Sequence, residues 1–315
     1  MTDSRVEKKK EKKKRKWPYW IGGILLFFIL LGGGFLWYIY DKVGDTVSDM
    51  HTPLERDTNP ERQKEIKEIF KERKSLNVLL LGVDQRSGDK GRSDTMILVS
   101  LNPNTEKMIM LSIPRDTYVD IPGRGMDKIN HAYAFGDVEL SLQTVENAFN
   151  LPIHFYAKVN MEGFQQGIDA IGGVTIQNNQ EFSAGGHNFT PGELHLGGKE
   201  ALSYIRMRKN DPRGDLGRNE RQRSVITAAM NEAASFSSIT KVGEILEIVG
   251  GNVTTDMGMD NFQNMFSNYL GTRKNIETLE LSGSGQMIGG IWYYIVPDSE
   301  FNRIKTTIEQ HMAEK

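Results

Sequence analysis

From Asn77 onwards the hydrophobic positions come in short blocks. NVLLLGV (77–83) is continuously apolar over a strand's length, the pattern of a strand buried on both faces of an α/β sheet. TMILVSL (95–101) and KMIMLSI (107–113) repeat it, and the turn NPNT between them predicts a hairpin. The period then changes. VELSLQTVENAFN (138–150) is amphipathic at helical spacing, HFYAKVN (154–160) reads as a strand, and MEGFQQGIDAIGG (161–173) reads as a helix ended by glycine. VTIQ (174–177) is a short strand before a Gly-rich excursion, FSAGGHNFTPGELHLGG (182–198). Helices are expected over 198–207, 219–235, 238–249 and 259–270, and strands in IETLELSG (276–283) and IWYYIVP (291–297). DSEFNRIKTTIEQHM is expected to close the chain as a helix with Asp298 as its N-cap. Helices interspersed among strands predict a three-layer α-β-α domain around a central mixed β-sheet over residues 76–315.

The first 75 residues follow other rules. RVEKKKEKKKRK (5–16) holds nine basic and two acidic side chains, and Trp17 to Tyr40 are 24 uncharged residues. At about 1.5 Å per residue such a helix spans a bilayer with some tilt. Trp17, Tyr19 and Trp20 at one end and Trp37, Tyr38 and Tyr40 at the other match interfacial aromatic belts. No small-residue cleavage site follows. The expected layout is a basic cytoplasmic tail (1–16), one transmembrane helix (17–40), a polar stalk (41–75) and an extracellular domain. The stalk carries Pro53, Pro60 and a helical run, ERQKEIKEIFKERK (61–74).

Composition narrows the chemistry. The chain has 315 residues and no cysteine, which removes disulfides, thiolate metal sites and a cysteine nucleophile. The net charge is −2, but leaving out the basic tail gives 30 basic against 38 acidic residues, or −8. A general nucleic-acid binder would be broadly basic, so no nucleic-acid partner is expected. There is no Walker loop, GxGxxG, GxSxG or HExxH. His187 and His195 lack a third donor at zinc spacing, and His131 in KINHAY reads as structural.

Against the acidic background, YIRMRKNDPRGDLGRNERQR (204–223) places Arg206, Arg208, Lys209, Arg213, Arg218, Arg221 and Arg223 against Asp211, Asp215 and Glu220. Arginines beside a helix start make a phosphate clamp, with a solvated basic loop as the plain alternative. Arg218, Arg221 and Gln222 lie at i, i+3 and i+4, on the side that Val225 and Ala229 continue into a core. Arg213, Glu220 and Arg223 fall elsewhere and read as solvated. Arg206 and Arg208 end the preceding helix, and Arg208 can instead complement its dipole. Asp84 and Asp94, at strand ends across a polar loop, can share one hard divalent cation, or can simply be turn residues. Arg115-Asp116 closes the third strand, and Lys128 and Asn130 follow; a surface ion pair is the plain reading of Arg115.

LLLGVD (79–84), RSDTM (92–96), SIPRDTYV (112–119), KINHAYAFGD (128–137), YIRMRKND (204–211) and DLGRNERQR (215–223) together resemble the LytR-CpsA-Psr family of cell-envelope proteins. One departure is Asp137, where the family leads one to expect glycine. The resemblance implies a phosphotransferase at the outer membrane face that moves a glycopolymer, in closest likeness wall teichoic acid, from an undecaprenyl-pyrophosphate carrier to a muramic acid hydroxyl of peptidoglycan. It implies Mg²⁺, with Mn²⁺ as a substitute, on Asp84 and Asp94. It places Arg115, Arg206, Arg218 and Gln222 on the phosphates, with Arg86 and Arg208 as further contacts; Asp116, Lys128 and Arg221 are expected as substrate contacts from the residues themselves. It also implies an apolar pocket for the lipid. The general base is open among Asp84, Asp94 and Asp116. A pyrophosphatase on the same lipids and a non-catalytic prenyl-pyrophosphate-binding module remain alternatives.

Overall fold

The computed structural model describes residues 37–38, 40–84, 91–208, 211, 213–235 and 242–315. The chain divides into two units, 1–43 and 44–315. The basic tail and nearly all of the expected transmembrane run lie outside the described residues, and so does Arg86. No helix among the described residues is long and apolar enough to cross a membrane.

The second unit is built on a six-stranded mixed sheet, in the order β11 (Val253–Thr255), β6 (Phe155–Asn160), β1 (Leu76–Val83), β2 (Ser93–Asn102), β3 (Lys107–Ser112) and β12 (Ile276–Glu280). β1–β2 and β2–β3 pair antiparallel, while β1–β6 and β3–β12 pair parallel. The unbroken apolar run of β1 has the expected cause, because both faces are covered. Leu79, Leu81 and Val83 point to one side, where they meet α2 (His131–Phe149) through Leu142, Val145 and Phe149, and α8 (Asp298–Ala313) through Ile304 and Ile308. Val78 and Leu80 point to the other, packing with Ile66, Ile69 and Phe70 of α1 (Pro60–Glu72), Ile226 and Met230 of α5 (Asp215–Ser235), and Tyr269 of α7 (Met259–Tyr269). The layers are therefore helix, sheet and helix.

Several boundaries differ from expectation. The segment assigned to a stalk is part of the domain from Gly44 onwards. Val47 and Met50 are buried, Thr52 N–H donates to Thr255 O at 2.7 Å, and α1 seals one face of the sheet. Its Ile66, Ile69 and Phe70 form an i, i+3, i+4 stripe in an otherwise charged run. The Gly-rich excursion contains three strands, β8 (Phe182–Ala184), β9 (His187–Phe189) and β10 (Gly192–Leu196), the last paired with β7 (Val174–Asn178). They form a third core with α3 (Met161–Ala170), α4 (Gly198–Arg206) and the Val225 side of α5. Asp298 is the first residue of α8 rather than its cap; Pro297 holds the N-cap position. Asp137 takes φ +55° and ψ −146° at a kink in α2, a region open to glycine and costly to other residues. The departure from the family pattern therefore sits where the backbone itself asks for glycine.

Candidate active site

The C-terminal ends of β1 and β3 and the N-terminal end of β2 meet at one end of the sheet, and the carboxylates and Arg115 are set there. Asp84 immediately follows β1, its N–H donating to Arg92 O at 3.3 Å. The β1–β2 register shifts between Gly82, opposite Thr95, and Val83, opposite Ser93, which leaves Asp94 as the extra residue of a bulge. A bulge re-aims a side chain out of the strand's alternation. Asp94 Oδ1 accepts from Arg115 Nη1 at 2.6 Å. Arg115 follows β3 in a turn closed by Thr117, whose N–H and Oγ1 both donate to Pro114 O. Behind it, buried Asp116 accepts from Lys128 Nζ at 2.6 Å and lies 3.7 Å from Arg115 Nε. Lys128 and Asp116 are thus a buttress for Arg115.

The arginine stretch supplies the opposite wall. Arg206, the last residue of α4, places Nη2 3.4 Å from Asp84 Oδ2. Arg208 lies beyond the helix, its Nε 3.1 Å from Asp215 Oδ1, so it answers a carboxylate as well as any dipole. Arg218, on the first turn of α5, places Nη1 3.5 Å from the same oxygen. Asp215 was not singled out from the sequence, where it reads as one acid among many arginines. Neither of its buried oxygens, nor Arg218 Nε, nor Arg115 Nε, has a hydrogen-bond partner among the described residues. Burial holds the Arg218 guanidinium below its ordinary range, with Asp215 opposing and Arg115 and Arg208 adding to the depression. For Arg115, burial also works against the charge, but the hydrogen bond to Asp94 and the charges of Asp94, Asp116 and Asp215 carry its pKa above the usual value. Three guanidinium groups therefore feel one another across a set of under-satisfied polar atoms at the start of a helix. Such an arrangement favours an anion with several oxygens.

Gln222 is buried one turn after Arg218. Arg221, expected on the same substrate-facing side, is not part of the site. It donates from Nη1 to the buried Asp211 carboxylate at 2.5 Å, from Nε to Tyr204 O at 3.1 Å and from Nη2 to Met207 O at 2.6 Å, with its guanidinium 5.3 Å from the Phe182 ring centre. It pins the end of α4 to α5. Gly217 makes room for this pair, since a Cβ there would lie 1.9 Å from Asp211 Oδ2. Arg223, read as solvated, is buried as well and donates to Ser112 Oγ at 2.9 Å, tying α5 to the end of β3. Arg213 is half exposed and pairs with Glu220, as a surface charge should.

Asp84, just after β1, meets Arg206, and Asp94, in the bulge of β2, meets Arg115; together the two carboxylates are a donor set of hard oxygens that suits an ion completing its shell with water and phosphate. No group of three or more His, Asp or Glu side chains among the described residues is arranged to hold a metal.

The chain matches the model of the LytR_cpsA_psr family over residues 37–310. A polyisoprenyl-teichoic acid–peptidoglycan teichoic acid transferase TagU of Oceanobacillus iheyensis is 64% identical over 318 residues, covering 99% of each chain. Among solved structures, B. subtilis TagU superposes with a TM-score of 0.62 at 41% identity, covering 77% of this chain and 98% of that one. A structure of TagT bound to LI-WTA gives 0.66 at 29% identity, covering 77% and 92%.

Proposed function

Because this chain belongs to the LytR-CpsA-Psr family and joins that fold to a converging arginine–carboxylate site, we propose that it is a transferase. In this reading it moves an anionic glycopolymer of the teichoic acid type from a polyisoprenyl-pyrophosphate carrier onto peptidoglycan. The observation that carries the reading is Arg218, buried with Nε unpartnered and held below its ordinary pKa by burial and by Arg115 and Arg208. A pyrophosphate between these side chains would supply the missing negative charge and acceptors. The uncharged run at 17–40 serves in this reading as a single membrane anchor, with the tail inside and the domain outside.

Arg115, Arg206 and Arg218, with Arg208 and Gln222 beside them, hold the phosphates and stabilise charge developing on the leaving lipid phosphate. Asp116 and Lys128 keep Arg115 aimed. Asp84 and Asp94 would hold Mg²⁺, or Mn²⁺ in its place, which would neutralise phosphate charge as a Lewis acid. A sugar hydroxyl of peptidoglycan attacks the polymer-side phosphorus. Buried and clamped by Lys128, Asp116 is unsuited to take the proton, which leaves Asp84 or Asp94; a carboxylate on Mg²⁺ is a poor base, so the roles of base and metal ligand compete at these two.

The test uses the full chain in vesicles with a lipid-linked teichoic acid donor labelled in its polymer, and peptidoglycan as acceptor. Label is expected on the glycan in a Mg²⁺-dependent reaction, and Arg115→Ala, Arg206→Ala and Arg218→Ala should each slow it by about a hundredfold or more. Wild-type turnover in all three variants would overturn the site. Label released into solution as free polymer phosphate would make the protein a hydrolase instead.

A further inference from the structure

The hairpin of β13 (Ser284–Ile288) and β14 (Ile291–Ile295) belongs to no part of this scheme, yet it rises beside the site. β12 runs parallel to β3 and delivers the chain to the site end at Glu280, opposite Ser112. β14 returns against the Arg115 turn, where Tyr294 N–H donates to Asp116 O at 2.8 Å and Tyr294 bridges Thr117. At the far end of the hairpin, Gly289 and Gly290, at φ +58° and +80°, close a tight turn. The tip bearing that turn is Met287-Ile288-Gly289-Gly290-Ile291-Trp292.

Three features of this tip go together. Met287 is 60% exposed, Ile291 50% and Trp292 40%. Residues 281–297 contain no charged side chain and form the longest such run after residue 40, in a region of otherwise dense charge. The hairpin is also held firmly at its base, where buried Tyr293 packs on Tyr118 with ring centres 4.7 Å apart and Lys128 Nζ lies 5.7 Å from the Tyr293 ring centre. Gly285 leaves the space over its strand to the indole, since a Cβ there would lie 2.8 Å from Trp292 Nε1. Solvent-exposed two-stranded edges are ordinarily guarded by charge, and this one is not.

We infer that the β13–β14 tip rests in the interfacial layer of a lipid bilayer, beside the active site. Methionine and isoleucine offer neither hydrogen bonds nor stacking to a sugar, whereas an apolar tip with a tryptophan flank matches the water–lipid boundary. The tether argues for the same occupant. In the sequence the uncharged run ends at Tyr40 and the domain begins at Gly44, so only residues 41–43 separate the domain from the span that the run would make. His51 bridges Thr255 in parallel, and β11 runs away from the site end, so the chain upstream of His51 approaches from the same end as the hairpin. The inference rests on the proposed function only for its purpose: a lipid-linked pyrophosphate would be met at the depth of its own headgroup.

The chain has no cysteine, so Met287→Cys can be labelled uniquely with an environment-sensitive fluorophore in the full-length protein. The control is Gln310→Cys, exposed near the opposite end of the sheet, where His311 O accepts from Asn102. In phosphatidylglycerol–phosphatidylcholine vesicles, brominated lipid should quench the label at 287 at least threefold more than at 310. Adding Ile291→Glu and Trp292→Glu should reduce quenching at 287 to the control level. Equal quenching at both positions, with both open to aqueous iodide, would overturn the proposal. So would a disulfide formed between two 287 positions, which would make the tip a self-association surface, or a shift driven by peptidoglycan fragments without lipid. The quenching needs no substrate, so it stands or falls separately from the transferase reading.

Discussion

Replacing Arg221 with alanine would separate a structural arginine from a substrate-binding one. Its guanidinium meets a carboxylate whose side chain is 0% exposed, and two backbone carbonyls at the end of α4. Breaking a buried pair by removing one partner costs about 3–5 kcal/mol, because the remaining charge has nowhere to go. Carbonyls left without a donor add up to about 1–3 kcal/mol each, offset by whatever water the gap admits. A loss near 4 kcal/mol is a reasonable centre, and in a domain of this size it lowers Tm by about 8–16 °C. The acid limb of stability should change too. Burial is the largest influence and opposes the Asp211 charge, but the hydrogen bonds from Arg221 and the Arg213 N–H, together with the charges of both arginines, outweigh it and hold the carboxyl below its usual value. The pair's contribution is therefore full above about pH 4 and is lost as pH falls through the lowered pKa. Thermal unfolding followed by circular dichroism, with turnover measured well below Tm, is the assay. Arg221→Ala should lose stability and keep most of its turnover, and Arg218→Ala should do the reverse. If Arg221→Ala melts within about 2 °C of wild type but loses its activity, the assignment is wrong and the residue touches substrate.

Asp215→Asn should keep the fold and weaken turnover by about tenfold or more, because Arg208 and Arg218 lose their shared counter-charge; unchanged kinetics would remove Asp215 from the site. Burial pushes the Asp256 carboxyl up to about 7, so its neutral form fits the fold and strain grows as pH rises from about 4 to 7. Asp256→Asn should therefore raise Tm at pH 8, with an upper limit of about 4 kcal/mol from the shift, and leave it unchanged at pH 4. A gain equal at both pH values would refute the cause. Burial pulls its pocket neighbour His154 down to about 4, which works in the opposite sense by favouring the fold as pH rises from about 4 to 6.5. Asp137→Gly should stabilise by about 1 kcal/mol by releasing the backbone strain at the α2 kink, as read from denaturant midpoints.

The sheet was legible because burial on both faces leaves a mark that survives in one dimension. β1, β2 and β3 have no polar face to confuse the pattern. The carboxylates and Arg115 were legible for a related reason, since they follow those strands directly. A helical wheel drawn for α5 alone could not rank its arginines. Arg221 and Arg223 are buried by things the wheel does not contain, Asp211 in the preceding loop and Ser112 at the end of β3. The wheel put them on different sides, and both sides turned out to be inside. The stalk was misread because charge outnumbers apolar residues in 61–74, although the stripe of Ile66, Ile69 and Phe70 was there to be weighed. Asp94 carried no signal of its bulge, which exists only in the pairing with β1.

Gly217 has a consequence for anyone wishing to make this protein more heat-resistant. Exchanging a glycine inside a helix for alanine is a routine gain of up to about 1 kcal/mol. Here the first turn of α5 rejects it, because the methyl would arrive 1.9 Å from Asp211 Oδ2 and push the carboxylate off Arg221. At Gly167 of α3 and Gly251 of α6 (Val242–Asn252) nothing lies within 4 Å of the added carbon, so the same exchange is free to raise Tm. Thermostabilisation of this fold thus has two open doors and one that leads into the scaffold of the arginine wall.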